Sequence, residues 1–369
     1  MLSKALVTGA YQRKCELIAA HDDIELTVLV PPSWGGQKLE RVCTAGYDLR
    51  EIPIRFGHSF HLHHYPTLKA ELARAKPDVL HVDEEPYNLA TWLALRDSQR
   101  ATHLRSDRRG ASHVHTMFFS WQNIRRNYPL PFSWMERAVL READAAIVGN
   151  REAEQVWRDK GFAKPIHVIP QFGVDEVLFN SPLTTRRSPF TVGYVGRLVK
   201  EKGVDLLIQA MQGLPEARLL IVGGGPLAQP LKQLAESLNV SPQIEFRPQV
   251  PSTQMPALYH ELDVLVLPSR TQPNWKEQFG RVLIEAMACG VPVVGSSCGE
   301  IPNVIGDAGL IFPEGNAEVL LQHLCALHQQ KALREDLARR GRERVLERFT
   351  MKHIADATVK TYRQLTNNQ

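Results

Sequence analysis

The sequence predicts an α/β protein of two doubly wound, Rossmann-like domains, and three observations lead there. At 369 residues the chain exceeds what one hydrophobic core usually supports, so two domains of roughly 150–200 residues are expected. Short β-rich apolar runs alternate with helical patterns from end to end, as in parallel sheets built from strand–helix units. A stretch rich in Pro, Ser and Thr, VLFNSPLTTRRSPF, separates two such series.

The first series offers ALVTGA, IELTVLV, DVLHV, HVHTMFF, AAIVG and IHVIP as strands, with AEQVWRDKG among its helices, and its last strand ends near Pro170. The second opens with TVGYVG at Thr191 and continues through RLLIVGG, IEFRPQV, DVLVLPS, VPVVGSS and GLIFP. Helical patterns GVDLLIQAMQ, PLAQPLKQLAESLN, MPALYHEL and the run after Phe279-Gly280 lie between them. The boundary is expected near residue 185. This gives an N-terminal domain over 1–185, a C-terminal domain over 186–350, and a last helix in 351–369 crossing back to the N-terminal domain. Two such domains facing one another place a ligand cleft between the carboxyl ends of both sets of strands.

Composition narrows the class. A hydrophobic content of 43% and a charged content of 23% are ordinary globular values, and a net charge of +4 is too small to argue for nucleic acid. Cys15, Cys43, Cys289, Cys298 and Cys325 show no CxxC or Cys/His ligand spacing, which fits reduced thiols in a cytosol. The apolar run in MLSKALVTGAY is too short for the core of a signal peptide, and no segment reaches the length of a membrane span. A cytoplasmic, non-integral protein is expected.

The chemistry concentrates in the second series. In NWKEQFGRVLIEAMACG, Val282, Leu283, Ala286 and Met287 supply a core-facing helical stripe and Glu285 falls on its border, so that carboxylate is either solvated or in use. Arg197 and Lys202 follow the strand TVGYVG, with Gly203 at the start of the next helix. Two cations beside a helix N-terminus suit a phosphate or diphosphate, although both also read as solvated loop charges. Gly223-Gly224-Gly225-Pro226 follows RLLIV and either lets a backbone approach phosphate or simply makes a tight turn. GGGPLA also fits the G-x-G-x-x-A dinucleotide fingerprint, with Glu245 about 20 residues on. Against that reading, the fingerprint belongs after the first strand of its domain, and Glu245 begins its strand rather than ending it.

GRLVKEKG, the VGGGP turn, LPS at 267–269, EQFGRVLIE and EAMACGVPVVGSSCGEIP resemble the retaining nucleotide-sugar glycosyltransferases of the GT-B fold, specifically family four. The likeness covers the second domain, with Glu277 and Glu285 forming the family's E-x7-E motif. It is looser in the first, through HVDEEPY, NYPLPF and VIPQFGVDEVLF. The resemblance implies transfer of a hexosyl unit from a nucleoside-diphosphate sugar, as co-substrate, to a hydroxyl acceptor, with no cofactor and no metal. A nucleotide-sugar epimerase of the same fold and a non-catalytic sugar-nucleotide binder are the alternatives. Glu285 would accept hydrogen bonds from the ribose hydroxyls. Glu277 would lie near the donor sugar and departing phosphate, with main-chain N–H groups around Phe279 and Gly280 reaching the sugar or diphosphate. Arg197 and Lys202 would neutralise the leaving diphosphate in place of a metal. Gly224 belongs to the phosphate-approaching turn, and main-chain groups near Val250 would read the base. Trp275 and Lys276 either face the sugar or anchor their loop.

On the acceptor side, many relatives carry a histidine where this chain has Phe119 to Gln122. His113 and His115 come too early, so no catalytic histidine is carried over. Glu84 and Glu85, with Gln122 and Asn123, are the candidates for orienting or deprotonating the acceptor. Alternatively, Asp83, Glu84 and Glu85 cap the helix starting near Asn88. The turn TGAYQRK also lacks the glycine pair of many relatives. Between Arg96 and Arg141 nine arginines face Asp97, Asp107 and Glu136, interleaved with Phe118, Phe119, Trp121, Phe132 and Trp134. This segment is either an ordinary solvated face or a peripheral contact with the inner face of a membrane that presents a lipid-linked acceptor.

Overall fold

A computed structural model of the chain describes residues 1–103, 113–179 and 189–367. Two compact units result, one from Met1–Gln171 with Met351–Gln369, the other from Phe172–Thr350. They part at residue 171, ahead of the boundary expected near 185; residues 180–188 lie outside the described ones.

The first unit contains α1 (Arg13–Ala19), β1 (Thr27–Val30), the hairpin β2 (Ser33–Trp34) and β3 (Gln37–Lys38), β4 (Asp48–Glu51) and α2 (Leu68–Ala75). It continues with β5 (Val79–Val82), α3 (Leu89–His103), β6 (His115–Ser120), α4 (Phe132–Glu142), β7 (Ala145–Val148), α5 (Arg151–Asp159) and β8 (Ile166–Val168). Strands β5-β6-β7-β8 run parallel, as do β1 and β4, and Leu2 bridges both Leu29 and Val82. The order is therefore β4-β1-Leu2-β5-β6-β7-β8, and it reverses between the Leu2 segment and β5.

ALVTGA is not a strand, contrary to expectation. Residues 1–3 hold the central position through Leu29 N–H to Met1 O (2.8 Å) and Asp83 N–H to Leu2 O (2.8 Å), while Ala5–Val7 coils into a 3-10 turn. Leu6 and Val7 are buried in either arrangement, so the apolar pattern alone does not separate them. On β6, Phe118 enters one core cluster with Leu95 and Trp157, and Met117 and Phe119 enter the other with Ile18 and Val28. That alternation is the strand period, and it shows a sheet covered on both faces. The C-terminal helix, Met351–Asn367, buries Ile354, Val359 and Tyr362 in the second cluster.

In the second unit β9 (Thr191–Val195), α6 (Val204–Ala210), β10 (Arg218–Val222), α7 (Ala228–Ser237), β11 (Ile244–Arg247) and α8 (Met255–Tyr259) come first. Then follow β12 (Val264–Leu267), α9 (Arg281–Ala288), β13 (Val293–Ser296), α10 (Ile301–Ile305), β14 (Leu310–Phe312), α11 (Ala317–Gln329) and α12 (Lys331–Arg348). All six strands are parallel in the order β11-β10-β9-β12-β13-β14, the doubly wound arrangement. The strand order reverses between β9 and β12, where such sheets bind ligands beyond the carboxyl ends of their strands.

Candidate active site

The second unit brings Lys202, Glu277 and Ser269 together at that reversal. Lys202 Nζ lies 2.5 Å from Glu277 Oε2, and Ser269 Oγ donates to the same oxygen at 2.8 Å. Ser269 follows β12 and is fixed from behind by Ser296 Oγ, which donates to the Ser269 carbonyl at 2.5 Å. A Cβ at Gly203 would stand 2.1 Å from the Pro268 carbonyl oxygen, and φ there is +63°. Only glycine lets the start of α6 come this close to the end of β12. Both partners of the Lys202–Glu277 pair are largely withdrawn from water, which strengthens their attraction. The Trp275 ring lies 5.0 Å from the Lys202 ammonium, so it covers the pair from its turn with Gln272.

The remaining candidates for the donor side divide by what they expose. The Arg197 side chain is 69% exposed and 3.9 Å from Glu201. Phe279 buries its ring against Phe349, centroids 5.7 Å apart, which leaves its main chain as the part that can meet a ligand. Gly280 caps the start of α9 at a φ of +78°, its carbonyl accepting from Leu283 N–H at 2.8 Å. In the glycine turn a Cβ at Gly223 would stand 1.9 Å from the Gly196 carbonyl oxygen and one at Gly225 2.5 Å from that of Leu198, while Gly224 faces open space. Backbone crowding explains the outer two glycines, and Gly224 is the one a ligand can approach. Val250 lies half-buried in the loop after β11, and Lys276 is half-buried next to Glu277. Glu245, the acid of the rival dinucleotide fingerprint, is taken up by Arg218 and by Arg247 Nε at 2.5 Å.

Glu285 is in use rather than solvated. Tyr259 OH donates to its Oε2 at 2.7 Å and Arg281 Nε sits 2.9 Å from Oε1. Burial pushes its carboxyl above the ordinary value against the pull of Arg281 and Tyr259. Each oxygen carries one partner, which leaves lone pairs for a diol.

In the first unit the reversal point holds a second cluster. Glu84 accepts from Lys4 Nζ (2.9 Å) and Tyr65 OH (2.8 Å) and lies 2.5 Å from His63 Nε2. Burial opposes its ionisation, but Lys4 and His63 outweigh that and hold the carboxyl well below its usual range. The Lys4 ammonium also sits 4.4 Å from the Phe60 ring and 4.8 Å from that of Trp34. Asp83 accepts from Ser3 Oγ (2.7 Å) and Gln171 Nε2 (2.8 Å). Glu85 accepts from Ser120 Oγ (2.6 Å) and Trp121 N–H (2.8 Å), and burial pushes its carboxyl up to about 7 against both bonds. Ser120 Oγ in turn accepts from Gln122 N–H at 3.0 Å, and Tyr128 OH donates to Gln122 Oε1 at 3.3 Å. Asn123 turns to Glu152 on α5 at 3.1 Å. The three carboxylates are thus committed to these partners rather than to the first turn of α3, which corrects the capping alternative.

The model for "Glycosyl transferases group 1" matches residues 180–344, and that for "Glycosyltransferase Family 4" matches residues 17–177. The chain belongs to the family 4 glycosyltransferases. A D-inositol 3-phosphate glycosyltransferase of Mycobacteroides abscessus is 34% identical over 50% of this chain and 44% of its own length. Sulfoquinovosyl transferase SQD2 of Arabidopsis thaliana is 27% identical over 75% of this chain and 55% of that protein. The match thus spans about half the length of these curated relatives. Among solved structures, a Rickettsia africae glycosyltransferase superposes with a TM-score of 0.75 at 17% identity, covering 100% of this chain and 98% of that one. Anabaena HepE, solved with UDP and glucose, gives 0.68 at 18% identity and 98% of both chains. These likenesses establish the GT-B fold.

In this family 4 chain the sequence reading missed Ser269, Lys4, His63, Tyr65, Tyr259 and Arg281. Ser269 stood inside the quoted LPS motif, and Arg281 lies one helical turn before Glu285, a spacing that places the two side by side. Lys4 and His63 reach Glu84 across 80 and 21 residues of sequence, and no local pattern reports that meeting.

Proposed function

We propose that this glycosyltransferase moves a hexosyl unit from a nucleoside-diphosphate sugar to a hydroxyl acceptor, with retention at the anomeric carbon and without a metal ion. The observation carrying this reading is the Lys202–Glu277–Ser269 cluster at the β9/β12 reversal. The bond from the anomeric carbon to the diphosphate oxygen breaks, and a bond to the acceptor oxygen forms on the same face. Lys202 and Arg197 offset the charge that collects on the leaving diphosphate, Glu277 holds Lys202 in place, and Glu85 takes the acceptor proton. A relative that is a D-inositol 3-phosphate glycosyltransferase and a structural neighbour solved with UDP and glucose support a nucleotide-sugar donor and a hydroxyl acceptor. A role in cell-surface polysaccharide or glycolipid synthesis follows as part of this proposal.

The test is a panel of UDP-, GDP- and ADP-sugars. The true donor raises thermal stability, because ligand binding to the native state stabilises it. Transfer is then expected to require acceptor and to persist in excess chelator. Epimerised donor without acceptor, or activity lost to chelator and restored by Mg²⁺ or Mn²⁺, would replace the proposal.

Glu285→Ala is expected to weaken donor and free nucleoside diphosphate alike, roughly ten- to a hundredfold, since charged hydrogen bonds typically contribute about 1.5–3 kcal/mol. The same change strands the buried Tyr259 hydroxyl and lowers the melting temperature. Calorimetric nucleotide affinity beside a thermal melt checks both, and normal nucleotide binding removes the ribose role.

The proposal extends to a lipid-linked acceptor. Among the described residues no helix is long and apolar enough to cross a membrane. Leu130 and Trp134 are 73% and 49% exposed, Trp134 packs on Trp92, and Arg96 lies 5.0 Å over the Trp92 ring. Arg105, Arg108 and Arg109 of the basic segment lie outside the described residues. Anionic vesicles are expected to sediment the protein at low salt and release it at high salt, because screening shortens the reach of surface charge.

A further inference from the structure

A cluster that the transfer reaction does not use lies at the amino end of the first unit's sheet. His115 opens β6 and His113 precedes it by two positions, so strand alternation puts both imidazoles on one side. Asp144 immediately precedes β7, the parallel neighbour of β6. One ring nitrogen from each histidine and one Asp144 oxygen lie within 4.8 Å of one another. His113 Nε2 stands 3.4 Å from Asp144 Oδ2, about the edge of a tetrahedron with metal–ligand bonds of roughly 2.1 Å. Thr116 orients the carboxylate, its N–H reaching Oδ2 at 2.8 Å and its hydroxyl at 3.3 Å, as the outer partners of metal ligands do. His115 Nε2 is closed to solvent and has no hydrogen-bond partner among the described residues. Folded proteins rarely leave such an atom unsatisfied.

We propose that His113, His115 and Asp144 form a site for a divalent transition-metal ion of the Zn²⁺ or Co²⁺ class, completed by water. Two imidazoles and one carboxylate suit those ions, whereas Mg²⁺ and Ca²⁺ prefer oxygen ligands throughout. The ion ties the start of β6 to the start of β7. Ser120, which bonds Glu85, lies five residues further along β6, about 17 Å away at the strand's rise per residue. The ion therefore stabilises the first unit and takes no part in transfer, so the site stands independently of the proposed reaction.

The full chain, stripped with chelator and dialysed, is titrated with Co²⁺ and with Zn²⁺, followed by the Co²⁺ absorption bands and by thermal melts. Wild type is expected to bind one ion with micromolar affinity and to melt higher when loaded. His113→Ala is the main variant, because His113 is exposed and its loss does not threaten folding. It should weaken binding about tenfold or more and abolish the rise in melting temperature, as should Asp144→Asn. Transfer activity of His113→Ala should equal that of stripped wild type. Equal affinity in His113→Ala and wild type, or no wild-type binding below about 1 mM, overturns the proposal.

Discussion

Glu277→Gln is expected to lower kcat by about a hundredfold or more while nucleoside diphosphate affinity holds or rises slightly. The direction follows from the cluster. Glu277 Oε2 receives both Lys202 Nζ and Ser269 Oγ, so this single oxygen sets where the ammonium points. An amide there keeps the shape and loses the charge. Lys202 is then no longer fixed where charge builds on the leaving phosphate, and losing one preorganised partner of that kind typically costs about 10²–10³ in kcat. Free nucleoside diphosphate responds in the opposite sense, because removing a negative charge beside Lys202 leaves the cation less neutralised when the anion arrives. Lys202→Ala is the companion, expected to weaken nucleotide binding and turnover together. Steady-state kinetics beside calorimetry separates the roles. If Glu277→Gln loses nucleotide affinity and keeps its turnover, the assignment is wrong.

What the sequence made legible follows a physical divide. The central strands of the second unit were readable because they are short apolar runs buried on both faces, as Val264–Leu267 and Val293–Ser296 are. ALVTGA failed because burial and strand pairing are different properties. Leu6 and Val7 are buried in a 3-10 turn, while Leu2 makes the ladder contacts. The short hairpin β2–β3 and the edge strand β4 escaped for a related reason: β4 is DLRE, an edge segment without an apolar run. At the β9/β12 reversal, Glu277, Lys202 and Gly280 were readable as candidates because they stand in short motifs that resemble those of a known family. Glu285 was placed on the border of a helical stripe, whereas Tyr259 and Arg281 close over it. Helical periodicity sees one helix at a time, and Tyr259 comes from α8. The carboxylate cluster of the first unit was the least legible. Which carboxylate is locked and which is poised depends on Lys4, His63 and Ser120 arriving from separate elements.

That difference between Glu84 and Glu85 gives the second large effect. Glu84 is held ionised by Lys4 and His63, so it is unsuited to taking up a proton. Glu85 is bonded instead by the neutral Ser120 hydroxyl and Trp121 N–H, and burial lifts its carboxyl to about 7, near the range where a general base works best. Only the ionised form accepts a proton, so kcat/KM is expected to fall about tenfold per unit as pH drops below roughly 7. Glu85→Gln should cut transfer by about 10²–10⁴ and remove that acid limb from what remains. Stability should move the other way. With a folded pKa above its unfolded value, Glu85 binds its proton more tightly in the native state. Its favourable contribution is therefore complete below about pH 4.5 and is lost as pH rises through 7. The amide keeps an acceptor for Trp121 N–H and a donor for Ser120 Oγ without ever ionising. Glu85→Gln should accordingly melt above wild type at pH 8 and near it at pH 5. A variant inactive because it misfolds would melt lower at both pH values. Unchanged transfer with the acid limb intact would show that another group takes the acceptor proton.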